Sequence, residues 1–308
     1  MNSLVKKVIV KNQEIKEFVP VGIPEGKVAE RVSLSLGNQN TWTDVTDRQC
    51  LAADGVVAFG ILFLPEEIEN GLPKTIHLKI EVPVEGKMKV LAIIEQAHFE
   101  SLTLKGDTLQ LYRCTKISNR HMDLMRRKIL IWKMFNLSIE RDFFDTPMTK
   151  WLYRQLVATY TYPRQVFLIQ IGEKIIFPID ICFFDESKGH FAFGLKVKNR
   201  LNKLIQEGMP VCIYTISSDA YEAIYELSES FALSDPDKVP AFIGNKMTME
   251  ILEFKNLKSQ IFYGCAITQV EEINSQERFL HHIHFIRYLS ALETPDYTVE
   301  HLKKAAIA

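Results

Sequence analysis

Alternation of apolar and polar residues is densest between residues 162 and 208 of this chain. Tyr162-Pro163-Arg164-Gln165 leads into Val166-Phe167-Leu168-Ile169-Gln170-Ile171, and Gly172-Glu173-Lys174 separates that run from Ile175-Ile176-Phe177-Pro178-Ile179-Asp180-Ile181. Short apolar runs bounded by turn residues predict two strands of a hairpin. A second turn around Ser187-Lys188-Gly189 precedes a third strand, His190 to Lys198, which runs through Asn199-Arg200 into a predicted helix from Leu201 to Glu207. Side chains on a strand point alternately to opposite faces. Phe191, Phe193, Leu195 and Val197 therefore share the expected core face, and Ala192, Gly194, Lys196 and Lys198 share the other.

The first third reads as a separate β-rich domain. Strands are predicted over Val5–Val10, Val28–Leu36, Gly55–Leu64, Thr75–Val82, Met88–Glu95 and Leu109–Cys114, with Gly, Pro, Asn and Asp between them. Short strands at this spacing predict a small antiparallel sandwich or barrel. A helical connector follows. Met122, Met125, Ile129, Trp132 and Phe135 recur every three or four residues, the spacing of one helix face. Thr146-Pro147 is a helix start, and Trp151, Leu152, Leu156 and Val157 supply a second apolar face. Between Ser217 and Val239 the strand pattern lapses and Tyr221, Ile224, Tyr225 and Leu227 predict a further helix. The expected organisation is a mainly β chain with a helical connector (α+β): a β-rich domain over 1–118, a connector over 119–160 and a barrel-like domain over 161–308.

The third strand suggests a chemistry. Two very small residues, Ala192 and Gly194, let a flat group approach the sheet, and Lys196 and Lys198 place positive charge beyond it. Asn199 is a good cap, and the N–H groups of a helix start favour an anion. Arg200 and Lys203 add charge-assisted donors. The same pattern also fits a plain amphipathic edge strand with solvated lysines.

The Tyr-Pro-Arg-x-Val opening, the hairpin into Phe-Pro-Ile-Asp, and Gly189-His190-Phe191-Ala192-Phe193-Gly194-Leu195-Lys196 followed by Asn199-Arg200 resemble the flavin reductase-like FMN-binding split β-barrel family. Met247 to Ile251, Gln260 to Ile267 and His282 to Leu289 resemble later strands of that barrel, so the likeness spans about Leu156 to Leu292. Where many members carry Ser or Thr and then Asp-Pro-Pro, this chain has Phe184-Asp185-Glu186-Ser187. The resemblance implies a C-terminal FMN-binding split β-barrel. It implies FMN as cofactor, NADH or NADPH as electron donor, and a homodimer with the flavin at or near a two-fold interface. Backbone N–H groups of Phe177, Pro178 (which lacks one), Ile179, Asp180 and Ile181 would meet the ring's polar edge. Lys196, Lys198, Asn199 and Arg200 would meet the phosphate. A flavin supplies the electron chemistry itself, so no dedicated side-chain acid or base is expected. Both an NAD(P)H-dependent flavin reductase and a non-catalytic flavin module for storage, sensing or electron relay fit this reading. A barrel that has lost its cofactor and serves as an interaction protein fits it also.

Composition sets outer limits. Of 308 residues, 47% are hydrophobic and 24% charged, an ordinary globular balance. A net charge of −1 argues against nucleic acid as partner. No apolar run approaches the roughly 20 residues of a membrane span. Met1-Asn2-Ser3-Leu4-Val5-Lys6-Lys7 lacks a signal-peptide core, and a cytoplasmic location is expected. The five cysteines are scattered without a CxxC pair, and no metal site is expected. His282 and His284 fall on one face of a strand, but no third ligand accompanies them. Trp132, Phe135, Phe143, Phe144 and Trp151 crowd the connector. Such a cluster fits either a homodimer contact or the seal between two domains of one chain.

Overall fold

Antiparallel ladders make up almost all of the regular structure. The computed structural model describes residues 18–24, 31–36, 40–46, 49–54, 57–62, 73–84, 87–104, 107–119, 163–172, 175–185, 189–220, 243–257, 260–276 and 278–284. Its first half contains β1 (Phe18–Pro24), β2 (Arg31–Ser35), β3 (Thr43–Asp44), β4 (Gln49–Asp54), β5 (Val57–Leu62), β6 (Thr75–Val84), β7 (Lys87–Leu104) and β8 (Asp107–Asn119). Its second half contains β9 (Arg164–Gln165), β10 (Phe167–Ile171), β11 (Ile175–Ile179), β12 (Cys182–Asp185), β13 (His190–Lys196), β14 (Pro210–Ile216), β15 (Ile243–Leu257), β16 (Gln260–Glu272) and β17 (Arg278–His284). One seven-stranded sheet has the order β3-β2-β6-β7-β8-β5-β4, the other β11-β10-β14-β15-β16-β13-β12, and a small sheet joins β1, β17 and β9.

The second sheet has to curl. β11 and β12 stand at its opposite edges, yet only Asp180 and Ile181 separate them in sequence. Three Cα steps reach about 11 Å at most, whereas the edges of a flat seven-stranded sheet lie roughly 29 Å apart. The edges therefore meet, and the sheet closes around Phe167, Ile169, Phe191, Phe193, Met249 and Tyr263. Phe167 and Phe191 meet edge to face at 5.3 Å. Gly172, at the predicted β10–β11 turn, has φ of 62°.

The two large sheets are the same sheet twice. Adding eight to each strand label of the first order yields the second. The registers repeat as well. A shift of 153 residues carries Ala92↔Asn119 onto Asn245↔Glu272 and Leu104↔Asp107 onto Leu257↔Gln260. The β-bulges at Glu95/Gln96 and His98/Glu100 fall by the same shift on those at Thr248/Met249 and Ile251/Glu253. A shift of 135 residues carries the β2–β6 pair Val32↔Ile80 onto the β10–β14 pair Phe167↔Thr215. At the first bulge an unpaired Thr is retained: Thr115 Oγ1 donates to the Glu95 carbonyl at 3.1 Å, and Thr268 Oγ1 donates to the Thr248 carbonyl at 3.0 Å. Bulges are built features that set local twist, so their coincidence marks a duplicated unit. The β-rich first domain, expected as a small antiparallel sandwich or barrel, is thus a second copy of the barrel sheet.

The copies pack through equivalent elements, β7 against β15 and β4 against β12. Leu102, Leu104, Leu109 and Leu111 of the first copy form one buried cluster with Phe183, Ala192 and Phe262 of the second. Leu109 and Phe262 are equivalent by the 153-residue shift. Gly264 lets Leu104 approach: a Cβ there would stand 2.3 Å from Leu104 Cδ2. Glu253 accepts from the Thr103 N–H at 2.7 Å, and its equivalent Glu100 lies in electrostatic reach of Lys255. Reciprocal use of equivalent residues is the signature of a two-fold interface.

Several expectations change here. The Ala192/Gly194 face, expected to admit a flat ring, is core between the two copies. Ala192 is fully buried, and a Cβ on Gly194 would already meet Gln260 and Phe262 below 3 Å. The Leu201–Glu207 helix is one 3-10 turn, Arg200–Lys203, because Gly208 at φ of 75° turns the chain into β14 at once. Val197, expected in the core, is exposed, since the strand ends at Lys196. β1, inside the expected 1–118 domain, pairs along its length with β17 at the far end of the chain. The predicted strand Val5–Val10, the connector helices with Trp132, Phe135, Phe143, Phe144 and Trp151, and the helix around Tyr221 and Tyr225 lie outside the described residues. Among the described residues no helix is long and apolar enough to cross a membrane.

Candidate functional site

One backbone hydrogen bond links the Phe177–Ile181 run to the strand that leads into Lys196–Arg200. The Ile181 carbonyl accepts from the Gly194 N–H at 2.8 Å, which sets the end of the Phe177–Ile181 run beside the last residues of β13. The chain then turns through Lys196, Val197, Lys198, Asn199 and Arg200. Lys196, Lys198, Arg200 and Lys203 are all exposed there. Asn199 caps as expected, its side chain accepting from the Leu201 N–H at 3.0 Å.

That turn is held from inside the barrel. Asn202 Nδ2 donates to the Lys196 and Val197 carbonyls at 2.8 and 3.1 Å. Its Oδ1 accepts from the Tyr263 hydroxyl at 2.9 Å. Tyr263 stacks on Phe193 at 5.0 Å, and burial pushes its hydroxyl up to about 12, so it remains a donor. The backbone N–H groups of Asn199, Leu201 and Asn202 are used within the turn. The expected helix start is thus a single 3-10 turn with these three N–H groups used within it, and Lys196, Lys198, Arg200 and Lys203 set cationic side chains at its surface.

Gln260 stands directly opposite Lys196 in the β13–β16 register. It is 1% exposed, and its amide nitrogen and oxygen have no hydrogen-bond partner. A buried amide left unmade costs about 1–3 kcal/mol per group, so the position is suited to ordered water. Its neighbours are Gly194 and Phe262.

Asp180 closes the other flank. Its carboxylate takes Arg164 Nη2 at 3.0 Å and His282 Nδ1 at 3.4 Å. Arg164 is buried and Asp180 about a quarter exposed. Burial favours the neutral carboxyl, but Arg164 and then His282 outweigh it and hold Asp180 well below the usual carboxylate range. Arg164 and His282 are register partners on β9 and β17, so this cluster ties the small sheet to the barrel. His281 faces the other way and is buried. Burial lowers it to about 4, and its Nδ1–H donates to the Phe279 carbonyl at 3.0 Å. Among the described residues no three His, Cys, Asp or Glu side chains gather as a metal site.

The structure sets Ile181 beside Gly194 near the end of β13, the strand that runs on into Lys196, Lys198, Asn199 and Arg200, while Phe177, Pro178 and Ile179 lie on β11. Ile179 is buried, and Phe177, Pro178, Asp180 and Ile181 are half-buried. Asn202, Tyr263, Gln260 and Arg164 complete the neighbourhood without having been singled out as its supports. The Tyr-Pro-Arg opening named Arg164, but only the fold pairs it with Asp180.

No protein-family model matches the chain, and no curated protein matches its sequence. Solved structures match over part of it. The flavin reductase component of a bacterial two-component tryptophan halogenase is similar over 39% of this chain and 87% of its own, at 6% identity and a TM-score of 0.33. The styrene monooxygenase flavin reductase of Pseudomonas putida is similar over 37% and 84%, at 11% identity and a TM-score of 0.32. An FMN-binding protein from Thermus thermophilus is similar over 36% and 72%, at 11% identity and a TM-score of 0.30.

Proposed function

We propose that the second half of this chain binds FMN and acts as an NAD(P)H-dependent flavin reductase. The observation that supports this reading is the exposed cationic turn from Lys196 to Arg200, which continues the strand whose Gly194 N–H donates to the Ile181 carbonyl. Lys196, Lys198 and Arg200 suit the phosphate, as a cluster of cations facing a dianion. The backbone of the Phe177–Ile181 run is the candidate for the polar rim of a ring. Pro178 gives shape there and no donor. The Ala192/Gly194 face does not fit the ring, because Leu104 and Phe262 fill the space over it. Bound FMN would supply the two-electron chemistry. This chain's residues bind it, orient it and limit access to it.

The first copy packs on one face of the barrel, which narrows the approach of a second substrate. That favours a flavin module without turnover as the second reading. Fluorescence titration separates binding from its alternatives. In Lys198→Ala/Arg200→Ala, FMN affinity should fall several-fold, since exposed ion pairs are worth about 0.2–1 kcal/mol each. Riboflavin affinity should not change, and equal losses for both ligands would overturn the phosphate assignment. Bleaching of the bound flavin by NADH or NADPH then separates reductase from module.

A further inference from the structure

We propose that one chain is a complete two-fold unit in which only the second half keeps an anionic-ligand site, so that each chain holds one ligand and needs no second copy. The single-site clause rests on the flavin reading above; the internal pair does not. Two observations carry the pair. The ladders of the two halves match in order, register and bulge position. The halves also meet through equivalent parts, β7 on β15 and β4 on β12, with Leu109 and Phe262 in one buried cluster. A closed two-fold contact uses the same patch on both partners. Here the two patches belong to one chain, so the surface a second copy would need is already covered.

The asymmetry comes from charge. The β5–β8 pair Phe59↔Arg113 corresponds to the β13–β16 pair His190↔Ala266, through a shift of 131 residues on β5 and of 153 on β8. Continued past the strand end, the β5 shift sets Lys196, Lys198 and Arg200 against Pro65, Glu67 and Glu69 in the sequence. Gln260, the buried amide without a partner, has Asp107 as its counterpart. In sequence, the first half thus carries acids at the positions aligned with Lys198 and Arg200, and an acid repels a phosphate. The duplicated unit has kept its fold in both halves and its anion site in one.

Sedimentation equilibrium at micromolar concentration and calorimetric titration with FMN test this on the full chain. The expected mass is that of one chain, 35.5 kDa, with and without FMN. The expected stoichiometry is one FMN per chain. Arg200→Glu should weaken FMN at least tenfold, and Glu67→Lys should leave it unchanged. A mass twice as large would overturn the internal pair and restore the homodimer expected from sequence. Two FMN per chain, or one per two chains, would overturn the single site. Absence of any FMN binding would overturn the flavin reading and the single-site clause together, while a one-chain mass would still uphold the pair.

Discussion

The contact between Leu104 and Gly264 offers the sharpest test of how the two halves pack. Leu104 is fully buried in the shared cluster, and a Cβ on Gly264 would stand 2.3 Å from its Cδ2 and 3.6 Å from its Cγ. Gly264→Ala alone forces Leu104 off its packing position. Because Leu102, Leu109, Leu111 and Phe262 enclose that side chain, the displacement should cost about 1–3 kcal/mol. Leu104→Ala alone removes a buried leucine and should cost about 2–5 kcal/mol. In the double variant the alanine methyl at 264 enters space that Leu104 has left, so the second change should cost little. The expected coupling is at least 1 kcal/mol below the sum of the single costs, the range found for residues in contact. Denaturant unfolding of the four proteins, followed by tryptophan fluorescence and far-UV circular dichroism, supplies the cycle. Strictly additive costs would refute the described packing of the first half on Gly264, and with it the closed Ala192 face.

Three further outcomes follow from the site. Asp180→Asn should lower stability by about 3 kcal/mol at neutral pH, the low end for breaking a buried ion pair, because Arg164 stays buried opposite it. Asp180 lies below its unfolded value of about 3.9, so its contribution is whole above that pH and lost as pH falls below it; unfolding followed from pH 6 to about 3 should show a shallower decline in the Asn variant. His281, lowered to about 4, should make stability fall as pH drops from about 6.5 towards 4, at up to about 1.4 kcal/mol per pH unit. Thermal melts of His281→Gln should lose that slope, and an unchanged slope would refute the assignment. Asn202→Ala leaves the buried Tyr263 hydroxyl without its acceptor and should cost about 1–3 kcal/mol. It should also weaken FMN more than riboflavin, since Asn202 positions the turn and touches no ring; titration of both ligands checks this.

Much of the second half was legible because local rules decide it. β13 alternates as its sequence predicts, with Phe191, Phe193 and Leu195 inward, and Asn199 caps as a short polar residue before a turn should. What covers the other face of β13 was not legible. Ala192 and Gly194 fit a seat for a ring or a plain amphipathic edge strand, and the packing of Leu104, far off in sequence, with Ala192 and Phe262 closes that face instead. The duplication was hidden for a related reason. Equivalent positions such as Gln96 and Met249, or Leu111 and Gly264, share pairing but not chemistry, because a ladder is held by backbone hydrogen bonds that many side chains permit. Identity survives where geometry demands it: Thr115 and Thr268 at the bulge, Glu100 and Glu253 at the interface. The Arg164–Asp180–His282 cluster joins two strands and the β11–β12 link, which only the fold brings together.

The measurement closest to the central claim is titration of cofactor-stripped full-length protein with FMN, read by flavin fluorescence and by the absorbance of the bound flavin. The account predicts saturable quenching that is stronger for FMN than for riboflavin and weakened by Lys198→Ala/Arg200→Ala. Folded protein that leaves FMN fluorescence unchanged across the titration would contradict it.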